Sequence, residues 1–355
     1  MDRHVIRDGP ASRGGFTWKG LLVVMVVIGV LLALLVQGVL IARESARRIC
    51  CRNNLKLIGL GLHSYTRANK VFPPGTICAT EPIAPGNQYD VWSEAAQTGP
   101  GFHGTSFLLC IIPYIEGNGM FWNRTEGISS RKREKRHTYG NFDIASCDVR
   151  GFYCPSRREF LRPEDKPMML SPAWTGGGTD YGGCAGRHAA FTLNTGYNIC
   201  DASTFYEPNY YPAPFTAEDD TEEKRWGIFG RVNVSATFDE ISDGASNTIM
   251  TGELQRITDV TPGSKDGWAI GGPATLFTTG AMFRYDGKRL ECVSSPAEGK
   301  LLNNRFFGSP GSAHSGGANF GLADGSVRFL TDTIDPRIFA LLGSMADGAE
   351  ASIDE

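Results

Sequence analysis

The stretch GGFTWKGLLVVMVVIGVLLALLVQGVLIA, Gly14 to Ala42, opens on two glycines and a phenylalanine and then stays apolar for the width of a bilayer. From Leu21 to Ala42 the only strongly polar side chain is Gln37, and about 22 helical residues at ~1.5 Å each cover the ~30 Å hydrocarbon core. The segment is long enough to span a membrane. A cleavable secretory signal would instead pair an apolar region of roughly 7–15 residues with a small-x-small cleavage site, and no such site follows this run. Cys50 and Cys51 come after the charged ARESARRI, a poor context for lipid attachment. Basic residues lie on both flanks: Arg3, Arg7, Arg13 and Lys19 before the run, Arg43, Arg47, Arg48, Arg52 and Lys56 after it. Taken alone, the bias of basic residues towards the cytoplasm would put the C-terminal side inside. The downstream charges, however, fall on what reads as one continuous helix from Phe16 towards Asn69, with Leu55, Ile58, Leu62 and Tyr65 at helical spacing. On such a helix lysine and arginine can equally mark a face that packs on a partner.

The remainder of the chain bounds the class. With 355 residues, 41% of them hydrophobic, there is ample chain for a packed core of one large or two small domains, and 44 glycines and 19 prolines favour many turns. A net charge of only −3 points to no nucleic-acid partner, and the basic run SRKREKRH, Ser130 to His137, has no interleaved aromatics and reads as a solvated loop. Nine cysteines form no CxxC pair, so no familiar zinc spacing is present and no metal or cofactor is assigned. In an exported protein some would be oxidised, and Cys147 with Cys154 is the nearest pair able to close a short loop.

The prolines of FPPG, Phe72 to Gly75, stop the long helix, after which short strand-like runs alternate with turn residues. RVNVSATF, Arg231 to Phe238, alternates as a half-buried strand would; NTIMTGEL, Asn247 to Leu254, reads as a strand entered from the turn SDGAS. In NFGLADGSVRFL, Asn319 to Leu330, Asp324-Gly325 separates two apolar-alternating runs, the signature of a hairpin with a type I′ turn. The expected fold class is α+β: a long N-terminal transmembrane α-helix followed by a mostly antiparallel β head.

Five ordered segments carry a resemblance: CRNNLKLIGLGLHSYTRANKVFPPG (Cys51 to Gly75), CPS (Cys154 to Ser156), TDYGGCAG (Thr179 to Gly186), DGASNTIMTGE (Asp243 to Glu253) and HSGGANFGLADGSVRFL (His314 to Leu330). Together they resemble the DUF1559 family of large prepilin-like proteins, whose C-terminal hallmark is a His, nine residues, then Asp-Gly; here those are His314, Asp324 and Gly325. The opening stretch is similar to a type IV prepilin signal. That resemblance implies a leader at 1–15, cut after Gly15 by a prepilin peptidase that N-methylates Phe16, a pilin-like helix at 16–70 with its transmembrane part at about 21–42, and an exported head at 71–355. It implies a single pass through the cytoplasmic membrane, the head in the periplasm or outside the cell, and other pilin-like subunits meeting the apolar stripe of the helix. One departure stands out: the fifth residue after the cut is Gly20, where such signals usually carry glutamate, as it is absent from the large tip pseudopilin of type II secretion.

For single residues the structural readings are the simpler ones. His314 could ligate a metal with Asp324, yet turn chemistry alone explains Asp324-Gly325; Asp243-Gly244 reads as a turn, and Glu253 as a buried, hydrogen-bonded carboxylate or a calcium ligand. His314 is expected to hydrogen-bond a backbone or carboxylate group. No G-x-S-x-G, H-E-x-x-H, Walker loop or complete G-x-G-x-x-G is present, so the chain does not read as an enzyme. The expected role is that of a pseudopilin-like protein, part of or associated with a type II secretion or type IV pilus-like assembly, or displayed at the surface. The rival is a tethered solute- or carbohydrate-binding module, with Trp92, Trp122, Trp174, Trp226 and Trp268 as sugar-stacking aromatics.

Overall fold

The computed structural model describes residues 18–78, 91–99, 101, 103–115, 120–133, 139–187, 222–259, 263–280, 282–288, 290–292, 299–349 and 351. Gly15 and Phe16 lie outside the described residues, as does the 1–15 leader. The helix α1 runs unbroken over Trp18–Asn69. From Trp18 to Ile41 every large apolar side chain on it is exposed, and it is the one described helix long and apolar enough to cross a membrane. Farther along, Cys51, Leu55, Ile58 and Leu62 form a stripe with i, i+4, i+7, i+11 spacing that is fully buried, with Tyr65 packed beside it. The expected helical period is there, but the stripe packs into this chain's own head and so is not free for partner helices. Accordingly the compact head unit begins at Arg47, upstream of the expected boundary at residue 70. Lys70, in a left-handed conformation (φ 66°), donates its N–H to Thr66 O at 2.7 Å and ends the helix just ahead of Pro73 and Pro74.

After α1 come β1 (Thr76–Ile77), α2 (Val91–Ala95), β2 (Thr105–Ser106), α3 (Phe107–Ile115) and α4 (Asn141–Ala145). There follow β3 (Tyr181–Cys184), β4 (Ile249–Glu253), β5 (Leu276–Phe277), β6 (Phe283–Tyr285), β7 (Leu290–Cys292), β8 (Gly317–Leu322), β9 (Val327–Thr331) and α5 (Pro336–Leu341). β1 pairs with β2 and β6 with β7; the central sheet has the order β5-β3-β4-β8-β9, antiparallel throughout except for the β3–β5 edge. The fold is α+β, as the sequence indicates.

Successive residues of the central strands feed two different cores. Met250 and Tyr181 join the core that contains Leu55, Ile58, Phe107 and Trp268, while Ile249, Cys184, Phe320 and Leu330 join the one built with Phe339 and Leu342. The sheet is therefore covered on both faces, and β3, β4 and β8 are buried at every position. This explains why RVNVSATF does not form the expected strand. Alternation marks a half-exposed strand, whereas the sheet here is built from unalternating YGGC, IMTGE and GANFGL. In RVNVSATF, Asn233 turns to φ 59° and its side-chain amide takes over the pairing, accepting from Cys78 N at 2.8 Å and donating to Cys78 O at 3.0 Å.

The hairpin β8–β9 forms at its expected place with a different turn. Only Gly325 has positive φ (83°); Gly325 N donates to Leu322 O and Leu322 N to Ser326 O, both at 2.9 Å. The connection is thus a three-residue loop closed by a left-handed glycine, not the two-residue type I′ turn, which requires positive φ at Asp324 as well. Trp174 and Trp268 are fully buried, and Trp92, Trp122 and Trp226 pack against the core, so the five tryptophans do not form a stacking surface.

Candidate functional site

Each of the five segments that carry the resemblance sends a side chain to one buried point. Cys51 comes from the buried stripe of α1, Cys154 from the turn after a short 3-10 segment at Arg150–Phe152, Tyr181 opens β3, Glu253 closes β4, and His314 immediately precedes β8. Strand register supplies part of this convergence: Tyr181 is the direct cross-strand partner of Glu253, and Gly252 pairs with Phe320, bringing the start of β8 beside the end of β4.

The two sulfurs of Cys51 and Cys154 lie 2.8 Å apart, either able to donate; Cys154 Sγ is 3.7 Å from His314 Nε2, which is 3.3 Å from Glu253 Oε1. Cys51, Cys154, Glu253 and His314 are 0%, 3%, 1% and 3% exposed. One carboxylate oxygen is firmly held, Oε2 accepting from Asn319 N at 2.6 Å and Asn319 Nδ2 at 3.0 Å, while Oε1 has no aligned donor despite its proximity to the imidazole. Asn54 Nδ2 donates to the Tyr181 hydroxyl (3.2 Å) and to Tyr153 O (3.0 Å) at the helix side. The hydrogen bond from Cys51, with burial, pushes the Cys154 thiol well above the usual cysteine range against the opposing pull of His314. Burial, then the neighbouring Cys51, Cys154 and Glu253, raise the Tyr181 hydroxyl likewise.

A buried ion network holds Cys154 in place. Its backbone N–H donates to Asp180 Oδ2 at 3.0 Å; Asp180 Oδ1 accepts from Arg157 Nη1 (2.8 Å) and Arg158 Nε (3.0 Å). Arg158 continues to Asp266 at 2.6 Å, and Arg256 lies 3.5 Å from the same carboxylate. Arg48, one of the basic residues after the apolar run, donates to Ser315 O at 3.3 Å and covers the Phe329 ring at 4.4 Å. At this position the positive charge marks a packed helix face.

The sequence-predicted residues divide between this site and others. His314 and Glu253 meet, Nε2 standing 3.3 Å from Oε1 without an aligned hydrogen bond. Asp324 is elsewhere: its Oδ1 accepts from Ser326 N (2.8 Å) within the hairpin loop, so it does not share a site with His314. Asp243 does more than turn the chain, since its carboxylate accepts from Asp347 N (2.8 Å) and Gly348 N (2.9 Å) and clamps the C-terminal segment; Gly244 is left-handed at φ 96°. The expected Cys147–Cys154 bridge is corrected: Cys147 is exposed and bonded to Asp143 O, while Cys154 is buried against Cys51. Spacing favoured the near partner because contacts across 103 residues leave no local trace. Nothing local in the sequence marks Cys51, Tyr181, Asn319 or the Arg158–Asp266 network as a site, although Cys51, Asp180, Tyr181 and Asn319 stand inside the five motifs.

Two thiols, an imidazole and a carboxylate converging within 4.8 Å of one another are the donor set of a soft or borderline divalent metal. No curated protein and no solved structure matches the chain. A family profile described as a protein of unknown function (DUF1559) matches residues 41–337, from the end of the apolar run to α5 and across all five motifs, and the chain belongs to that family.

Proposed function

We propose that this chain is a membrane-anchored, pseudopilin-like protein that displays its head outside the cytoplasm, working by assembly or display rather than by catalysis. The observation that supports this reading is α1: one helix whose first half exposes apolar side chains all round and whose second half is a core element of the head. A helix apolar on every face belongs in lipid or among other apolar helices. Since Leu55, Ile58 and Leu62 are occupied, contacts with pilin-like subunits fall to the part before Ala46. In the proposed maturation a prepilin peptidase cuts between Gly15 and Phe16 and methylates the new amine. With Gly20 in place of glutamate, no carboxylate is available at that depth to neutralise a neighbour's terminal amine, which favours a tip or tethered role over a main filament subunit. Mass spectrometry of the native N-terminus tests the reading: methyl-Phe16 is expected, and an intact Met1 in cells with an active peptidase rejects it.

One observation favours a binding role for the head. A 550 Å³ cleft between β6 and the loop ahead of α5 is lined by Arg284, Tyr285, Asn303, Asn304, Arg305 and Asp332. Phe283, Leu301 and Ile334 share the lining, and Arg305 covers the Tyr285 ring at 4.6 Å, a mixed apolar and polar surface that suits a small organic solute with a few polar groups. Saturable glycan binding by the full chain, lost in Tyr285→Ala, would favour this second reading.

A further inference from the structure

We propose that Cys51, Cys154, Glu253 and His314 form a closed structural binding site for zinc or a divalent ion of similar softness, which fastens the anchor helix to the head. Donor chemistry selects the ion: two sulfurs and an imidazole nitrogen suit zinc and repel calcium and magnesium, which take oxygen ligands. Distances bracket the geometry this choice needs. All four donor atoms lie within 4.8 Å of one another, and tetrahedral zinc with bonds of roughly 2.0–2.3 Å sets its donors about 3.3–3.8 Å apart. On binding, the sulfurs would separate by about 1 Å from 2.8 Å and the more distant donors would close in.

Three further features point to a ligand. Glu253 Oε1 is a fully buried carboxylate oxygen with no hydrogen-bond partner, aimed at the sulfurs and the imidazole. Outer partners that orient metal ligands are already in place: Asn319 fixes Glu253 through Oε2, Asp180 holds the Cys154 backbone, and Ser312 Oγ accepts from His314 N at 3.0 Å. With all four donors buried, no position remains open to water or substrate, the arrangement of a structural rather than a catalytic ion.

A Cys51–Cys154 disulfide is the competing account, because an exported head meets an oxidising compartment. It uses two of the four groups. At 2.8 Å the sulfurs stand between the ~2.05 Å of a disulfide and the roughly 3.8 Å of two thiolates on one zinc, so their separation decides nothing; what decides is that a disulfide leaves Glu253 Oε1 buried with no hydrogen-bond donor. An ion satisfies all four groups at once. Its donors come from α1, the turn after residue 152, the end of β4 and the segment just before β8, so a single ion ties the membrane-bound helix to the sheet.

The test uses the full chain in detergent, stripped with chelator under reducing conditions and then given zinc or cobalt(II) alone. Stoichiometric zinc by elemental analysis and a thiolate-to-cobalt charge-transfer absorption are expected, both retained in Cys147→Ser and both lost in Cys154→Ser. Glu253→Gln should weaken zinc by roughly 10-fold or more while leaving the thiolate band in place. Because the cobalt spectrum is read on the wild-type chain, failure of a variant to fold leaves the result intact. A folded wild-type chain that takes up neither ion, or one from cells whose peptide map shows Cys51 bonded to Cys154, overturns the proposal.

Discussion

The two halves of α1 have the same backbone conformation and opposite surroundings. From Trp18 to Ile41 the side chains are apolar on every face and all exposed; from Arg47 to Asn69 polar residues return on one face, and Cys51, Leu55, Ile58 and Leu62 withdraw into the head. Period separates the two. A stripe about a third of the helix wide specifies a single protein partner, whereas apolarity without period specifies a solvent. The boundary between the apolar span and the head thus lies within the helix near Arg47, where turn residues give no sign of it.

The largest effect should come from placing a charge in each half. Ile58→Asp buries an unpaired carboxylate in the main core and should cost several kcal/mol, comparable with the whole stability of an ordinary domain. Leu31→Asp, on the exposed half, should leave the head's thermal unfolding unchanged and weaken only its retention in detergent or lipid. Trypsin resistance and circular dichroism read both. Likewise a fragment starting at Arg47 should fold, while one starting at Gly75 lacks five core side chains, Cys51, Leu55, Ile58, Leu62 and Phe72, and should not. Equal stability of the two fragments would show that the second half of the helix is a mere stalk.

Acid should separate the halves next. Between Gly20 and Ala42 there is no ionisable side chain, whereas Cys154 is held by a carboxylate–guanidinium network. Burial works against the charged forms of Asp165 and Asp266, yet Arg162, Arg158 and Arg157 beside Asp165, and Arg158 and Arg256 beside Asp266, hold both below the usual carboxylate range. A carboxylate with a depressed folded-state pKa contributes stability above its ordinary value near 4, and that stability is lost as pH falls below it. Head stability should therefore be flat through neutrality and fall steeply below about pH 4. Asp266→Asn, which leaves Arg158 and Arg256 short of a buried partner, should cost about 3–5 kcal/mol at pH 7 and flatten the acid limb. Denaturant melts across pH measure both. No change in slope would mean that the network is neutral in energy.

A smaller effect is expected where the head touches the helix through the hairpin loop. Gly325 holds φ 83°, and a Cβ there would lie 3.2 Å from His63 Nε2 on α1. Gly325→Val should cost roughly 1–2 kcal/mol or more, seen in thermal melts, with Gly325→Asn milder because asparagine tolerates the left-handed region.

Local signals in the sequence were sufficient for elements whose reasons are local. Helix period, the proline stop and the Asp324-Gly325 pair each act within a few residues, and α1, its end and the β8–β9 hairpin follow. The alternation in RVNVSATF misled for a related reason: a sheet covered on both faces has no polar side to alternate with. The site was legible only in pieces. His314 and Glu253 stand out singly in the sequence, but Cys51 and His314 are far apart in it and meet only through the register of β3, β4 and β8. No spacing rule reaches that far, which is why Cys147 stood in for Cys51 as the partner of Cys154.

The finest test of the comparison uses two glycines of the buried half. Glycine inside a helix costs up to ~1 kcal/mol relative to alanine, so alanine should stabilise wherever it fits. At Gly59 an added Cβ would meet Met250 Cε at 3.9 Å and Gly325 Cα at 4.0 Å, ordinary contact distances, and Gly59→Ala should raise stability by up to ~1 kcal/mol. At Gly61 the same Cβ would lie 2.5 Å from Ile115 Cγ2 and 3.4 Å from Ile111 Cβ, so α3 has to move or Ile115 has to leave its rotamer. Overpacking of that kind typically costs 1–3 kcal/mol, about enough to cancel the gain in propensity or exceed it. Gly61→Ala should therefore be neutral to destabilising, and Gly29→Ala, with nothing within 4 Å, should not change head unfolding at all. If Gly61→Ala stabilises the head as much as Gly59→Ala, then α1 does not sit against α3 as closely as the buried stripe requires, and the second half of the helix is less tightly packed than its burial implies.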